Sequence, residues 1–143
     1  MLDDIFKKYN VKIAYLFGSQ MKEGLKFLKG EKYKVKKGSD LDIGVVFEEL
    51  PTNKISVYGD LYIELSKAFD PFEIDLVFLQ ETDSLFQYEA IKGMLIYSED
   101  EEFLENYEEI VMKKAEDLSF KQKEIFKDFL EAIKDGYRKI ELK

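Results

Sequence analysis

The amino-acid sequence predicts a single α+β domain in which a mixed β-sheet of about four strands is packed by helices and followed by two C-terminal helices. Three observations predict it. Short apolar, β-prone runs at 11–17, 41–47, 73–79 and 94–97 alternate with segments whose apolar residues recur every three or four positions. Two helix-start patterns, Ser98-x-x-Glu101 and Ser119-x-x-Gln122, fall after the last of those runs. The chain has 143 residues, the usual size of one domain and enough to bury a core.

In order along the chain, residues 2–9 set Leu2, Ile5, Phe6 and Tyr9 on one side, the spacing of a short amphipathic helix that Asn10 ends. Residues 11–17 are apolar on both faces, which predicts a covered central strand. Residues 21–28 resume a helix. Lys29-Gly30-Glu31-Lys32 then either breaks the chain into a loop or turns a hairpin toward Tyr33 and Val35. Seven lysines fall between Lys22 and Lys37 against two acids, Glu23 and Glu31. Such a run reads as a solvated loop, or as cations facing a ligand or a partner.

Residues 41–47 predict a second strand, with Leu41, Ile43, Val45 and Phe47 on the face opposite Asp42. Gly44 shares the Asp42 face, where a missing side chain leaves room for a ligand or marks a β-bulge. A helix carrying Ile55, Tyr58, Leu61, Tyr62, Leu65 and Phe69 follows and stops at Asp70-Pro71. After the strand at 73–79, Leu85, Phe86, Ala90 and Ile91 mark a short helix that Gly93 ends, and residues 94–97 form an edge strand. The two C-terminal helices over 100–143 carry apolar stripes: Phe103, Leu104, Tyr107, Ile110, Val111 and Leu118 on the first, and Phe126, Phe129, Leu130, Ile133, Tyr137 and Ile140 on the second. Such stripes read as intramolecular core, and the aromatic-rich terminal one is also the best place for an interface.

Composition narrows the chemistry. Thirty acidic against 22 basic residues give a net charge of −8, which argues against nucleic acid as a direct partner and favours a basic protein. With no cysteine there are no disulfides or thiolate metal sites, and with no histidine there is no imidazole catalysis or ligation. No apolar run approaches the roughly 20 residues that span a bilayer, and the N-terminal segment lacks a leader pattern, so no membrane association and a cytoplasmic location are expected.

Five residues stand out from this frame. Gly18-Ser19 closes the first strand, where a glycine lets the backbone turn tightly and the hydroxyl and helix N–H groups suit phosphate oxygens. Asp40 and Asp42, two apart at the start of the second strand, share a face and can hold a hard divalent cation through oxygen. Asp75 is a charge inside an otherwise apolar strand and needs a reason to be there. A phosphate cradle beside a carboxylate set suggests a nucleoside triphosphate as ligand.

This ordered set, Gly18-Ser19, Asp40-x-Asp42 and a later Asp75, resembles the signature of the nucleotidyltransferase superfamily with the polymerase-β-like fold. The short length, and the runs LYIELSKAF, EIDLVFL and FQYEAIKGMLIY, resemble its minimal branch, the MNT proteins often paired with HEPN toxins. The resemblance covers roughly residues 1–100. The segment between Ser19 and Asp40, residues 20–39, departs from it by being about twice as long as in a typical minimal member.

The resemblance implies Mg²⁺ held by Asp40, Asp42 and Asp75, with Gly18 and Ser19 on the phosphates. It also implies transfer of AMP from ATP to a tyrosine of a HEPN ribonuclease toxin, which this chain would silence as antitoxin. The chain cannot itself be that toxin, whose pattern needs an arginine closely followed by a histidine: the only arginine is Arg138 and histidine is absent. Two alternatives stay open. One is a non-catalytic antitoxin acting by occlusion; the other is transfer to a small hydroxylated molecule, which the lack of room for an acceptor-binding domain disfavours.

Overall fold

The computed structural model describes the backbone of residues 1–141 and the side chains of residues 1–136. Its elements run α1 (Leu2–Lys8), β1 (Val11–Phe17), α2 (Met21–Leu28), β2 (Leu41–Phe47), α3 (Lys54–Ala68), β3 (Ile74–Phe78), a 3-10 turn (Leu79–Glu81), α4 (Ser84–Ile91), β4 (Met94–Ser98) and α5 (Glu101–Glu141). The four strands form one sheet in the order β3-β2-β1-β4. β1 pairs antiparallel with β2 and β4, while β2 and β3 are parallel, so the sheet is mixed as expected.

The sheet is covered on both faces, which is why β1 and β2 carry apolar residues on both of theirs. One face packs Phe6 of α1, Leu61 and Leu65 of α3, and Phe69 against Leu16, Leu41, Ile43, Val45 and Phe47. The other packs Ala90 of α4 and Tyr107 and Val111 of α5 against Ile13, Tyr15, Phe17, Val46 and Leu79. Each Val, Leu, Ile or Phe among them contributes roughly 1.5–3 kcal/mol when fully buried. Simple alternation would put Val11 and Ile13 on the same face. They lie on opposite faces, because the β1–β2 register shifts between them and reverses the parity of the strand.

Three expectations change. The two predicted C-terminal helices are one continuous helix, α5, which runs through Ser119-x-x-Gln122 without a break. That pattern lies between helix-favouring stretches, and no glycine, proline or turn accompanies it to stop the preceding helix. The start of α5 is also set two residues later than expected. The Asp100 side chain accepts from the Glu102 N–H at 3.0 Å and its carbonyl accepts from Leu104 N–H, so Asp100 is the cap and Ser98 remains in β4.

The apolar stripe of the distal part is not core. Phe126 and Phe129 are about 60% exposed, and every residue from 120 to 136 is exposed. Tyr137 and Ile140 lie outside the described side chains. Only the proximal part is anchored, by the buried Tyr107, Val111 and Ala115 and by two buried phenols: Tyr15 donates to Glu108 and Tyr107 to Gln87, each at 2.7 Å. Ile55, expected on the packed face of α3, is 92% exposed in its first turn.

The third change is Gly44. A Cβ there would lie 2.9–3.0 Å from the side chain of Leu79, so the space is filled by the 3-10 turn after β3 and is neither ligand room nor a bulge. Next to it, Gln80 stands in for a strand residue: its amide both accepts from Phe47 N–H and donates to Phe47 C=O, at 2.7 Å each.

Candidate active site

The five predicted site residues meet at one end of the sheet. β1 ends at Phe17, opposite Asp42 in the antiparallel register, and the chain turns at Gly18-Ser19 before α2. In the parallel register Asp42 of β2 lies beside Asp75 of β3. The turn and the carboxylates therefore sit together because strand pairing places them there.

Gly18 has φ +80°, a conformation open to glycine at little cost. It is also in close approach: a Cβ would overlap Asp42 Oδ2 and lie 3.0 Å from Asp42 Cγ. The turn thus presses its backbone onto the carboxylate. Ser19 is exposed, and its Oγ is 2.9 Å from Ser39 Oγ.

The carboxylates are not equivalent. Asp75 and Asp40 are exposed, and Asp42 is half-buried between them. Burial pushes the Asp42 carboxyl above its ordinary pKa, and the negative charges of Asp75 and then Asp40 push it the same way. Asp42 and Asp75 form the close pair. Asp40, one residue before β2, acts on it through its charge. Among the described residues no three or more potential ligands already converge into a finished cation cage. The donor set nevertheless fits a hard divalent ion: it is all oxygen, partly exposed, and electrostatically unfavourable until a cation neutralises it.

The raised Asp42 pKa has a sign that can be checked. A carboxylate whose pKa is higher folded than unfolded opposes folding once ionised, so its contribution is favourable below the unfolded value and is lost as pH rises through the folded one. In chelator, Asp42→Asn should therefore raise the melting temperature at pH 7. The gain should shrink as the pH is lowered toward 3.5, below the ordinary aspartate value of about 3.9. A variant that melts lower than wild type at pH 7 would contradict the assigned repulsion.

Residues 20–39 are more ordered than a solvated loop and form no hairpin. They comprise α2 and an extended arm, 31–40, that returns along it. Tyr33 packs in an aromatic cluster, 5.1 Å from the Phe27 ring and stacked 5.4 Å from Phe72. Glu23 accepts from Lys34 N–H at 2.9 Å and pairs with Lys26 at 3.3 Å.

Two residues near the site were not singled out from sequence. Gln20 is 1% exposed and bonds the arm, yet a glutamine opening an amphipathic helix carries no mark of burial. Tyr58 of α3 donates to Leu76 C=O at 2.8 Å on the outer strand, near enough that Asp75, after burial, raises its phenol pKa. It had been legible only as one apolar position of a helical stripe.

The polymerase-β nucleotidyltransferase family model matches residues 1–102, the part of the chain that holds every residue above. Comparison with curated proteins gives no significant match. Among solved structures, a chain of a mutant MntA–HpeT toxin–antitoxin is similar with a TM-score of 0.66 at 17% identity, covering 90% of this chain and 95% of that one. A chain of the tri-AMPylated Shewanella oneidensis HEPN toxin in complex with MNT antitoxin is similar with a TM-score of 0.62 at 17% identity, over 90% and 92%. A toxin–antitoxin structure with AMP-PNP gives 0.63 at 17%, over 90% and 95%. These likenesses extend the shared fold past residue 102 into α5. With the family match over most of its length, and the turn and carboxylates in one place, this chain belongs to the polymerase-β nucleotidyltransferase family.

Proposed function

We propose that the chain is a magnesium-dependent protein adenylyltransferase that moves AMP from ATP onto a tyrosine of a HEPN-type ribonuclease toxin and so acts as its antitoxin. The observation that carries this reading is the Asp42–Asp75 pair set against the Gly18-Ser19 turn. The likeness in fold to a chain from a complex containing a tri-AMPylated HEPN toxin supports the choice of acceptor, and the likeness to one solved with AMP-PNP supports the donor.

In this reading the Ser19 hydroxyl and the backbone N–H groups at the start of α2 bind the outer phosphates. The acceptor oxygen attacks the α-phosphorus, and the bond from that phosphorus to the bridging oxygen of the β-phosphate breaks. Pyrophosphate leaves with the electron pair, and the hydroxyl proton passes to Asp75, which is exposed and able to exchange it with water. Mg²⁺, held by Asp40, Asp42 and Asp75, would neutralise triphosphate charge and acidify the attacking hydroxyl. The protein's remaining task is to hold the groups in line.

The test is mass spectrometry of the cognate HEPN protein after co-expression, and after incubation with purified chain, ATP and Mg²⁺. The expected result is a toxin heavier by one or more adenylyl units on tyrosine, with no labelling of RNA. An unmodified but inactive toxin, held in a tight complex, would refute catalytic silencing in favour of occlusion. That second reading is favoured by one observation, the exposed apolar face of α5 at Phe126, Phe129 and Ile133.

A further inference from the structure

Gln20 is the only non-aromatic polar side chain buried among the described residues. Its Oε1 accepts from Lys36 N–H at 2.9 Å and its Nε2 donates to Ser39 C=O, so both halves of the amide are spent on the arm. Leaving either half unpaired in a buried place is costly, which gives the arm a definite seat. That seat is beside the phosphate turn, because Gln20 directly follows Ser19 and Ser39 Oγ bonds Ser19 Oγ.

The arm is fastened by groups other than its ammonium groups. Tyr33 packs by its ring, and Lys34 and Lys36 bond through backbone N–H. Lys36 and Lys37 are exposed, and the described residues give neither an ion pair. A lysine stem reaches about 6 Å from its backbone. Two cations given no ion pair among the described residues are thus carried on an arm seated beside a turn suited to phosphate, in a chain of net charge −8.

We propose that Gln20 is a positioning residue that seats the arm 31–40 against the Gly18-Ser19 turn, and that Lys36 and Lys37 on this arm bind the β- and γ-phosphates of a nucleoside triphosphate. The proposal rests on the nucleotidyltransferase reading of the site and adds what makes that site select a triphosphate over a monophosphate. A loop merely solvated by lysines would not need a buried amide to hold it. Clustered carboxylates that must receive a triphosphate also gain from cations that do not compete for the metal position.

Binding tests this without the acceptor. Calorimetric titration with ATP, inorganic tripolyphosphate and AMP, each with Mg²⁺, should show the Lys36→Gln, Lys37→Gln double variant losing about 10-fold or more in affinity for ATP and tripolyphosphate. AMP should change less than about 2-fold, since each charge-assisted bond lost is worth at least a factor of ten. Gln20→Leu should release the arm, seen as faster amide exchange at residues 34–39, and should weaken ATP and tripolyphosphate by a similar factor. Gln20→Asn, which keeps both the acceptor for Lys36 N–H and the donor for Ser39 C=O on a shorter side chain, should recover part of the loss.

Wild-type affinity for tripolyphosphate in the lysine variant overturns the ligand assignment. A freed arm with unweakened ATP binding in Gln20→Leu overturns the positioning role, and equal loss of AMP and ATP overturns the triphosphate selectivity. A wild-type chain that binds no nucleotide refutes both this and the adenylyltransferase reading. One that binds ATP as described but labels no toxin refutes only the latter.

Discussion

Cells producing the cognate toxin should lose protection when the chain carries Asp40→Asn and Asp42→Asn together, and transfer of AMP in vitro should fall by at least about a thousand-fold. The magnitude follows from what the carboxylates are asked to do. A divalent ion that neutralises the triphosphate and acidifies the acceptor supplies several kcal/mol, and each 1.36 kcal/mol is tenfold in rate. Asn keeps the shape of Asp and removes the charge, so the fold should survive. In Asp42 the loss also relieves the repulsion from Asp75, which makes a stable, inactive protein the expected product. Retained transfer in Asp42→Asn would sink the catalytic assignment. Full protection by the double variant, with transfer abolished, would mean that neutralisation proceeds by occlusion.

Gly18→Ala should be nearly as damaging with the three aspartates untouched. The new methyl meets the Asp42 carboxylate, and alanine at φ +80° is strained. The two effects act on different observables. Strain at a left-handed position costs about 1–3 kcal/mol of stability. Displacing the carboxylate from its place beside Asp75 should lower transfer by on the order of a hundred-fold, since a shift of about 1 Å at a reacting centre has that effect. Activity and a melting curve on the same preparation separate them. An Ala variant with wild-type activity would show that the close approach of turn and carboxylate is incidental.

The strands and the site ends of the sheet were legible because their signals are local. Apolar runs with a two-residue period or with both faces apolar marked residues 41–47 and 11–17, and the aspartates stood out as charges, Asp40 and Asp42 at the start of one apolar run and Asp75 inside another. What was not legible depends on contacts between distant segments. The filling of the Gly44 position by Leu79 needs the 3-10 turn to fold back over β2, and no pattern within either segment says so. Burial of Gln20 depends on an arm that returns 16 residues later to bond it. The reversal of faces in β1 comes from a bulge at Lys12, invisible to a strict two-residue period.

The C-terminal helix was misread for a different reason. Its capping pattern and apolar stripe are the same ones a packed helix would show, because local sequence records amphipathicity and does not record what covers the apolar side. Ser119-x-x-Gln122 would start a helix if the chain before it stopped; nothing there stops it.

The way α5 is held turns it into a lever. Its fulcrum is the short stretch around Tyr107 and Glu108, hydrogen-bonded to α4 and to the central strand of the sheet, and the last fully seated side chain is Ala115. From there to residue 136 the rod extends roughly 30 Å at 1.5 Å per residue. A tilt of about 10° at the fulcrum, about 40 Å away, carries its far end roughly 7 Å. A load applied out there would bear on the Tyr15–Glu108 hydrogen bond, and Tyr15 belongs to the strand that ends at the Gly18-Ser19 turn.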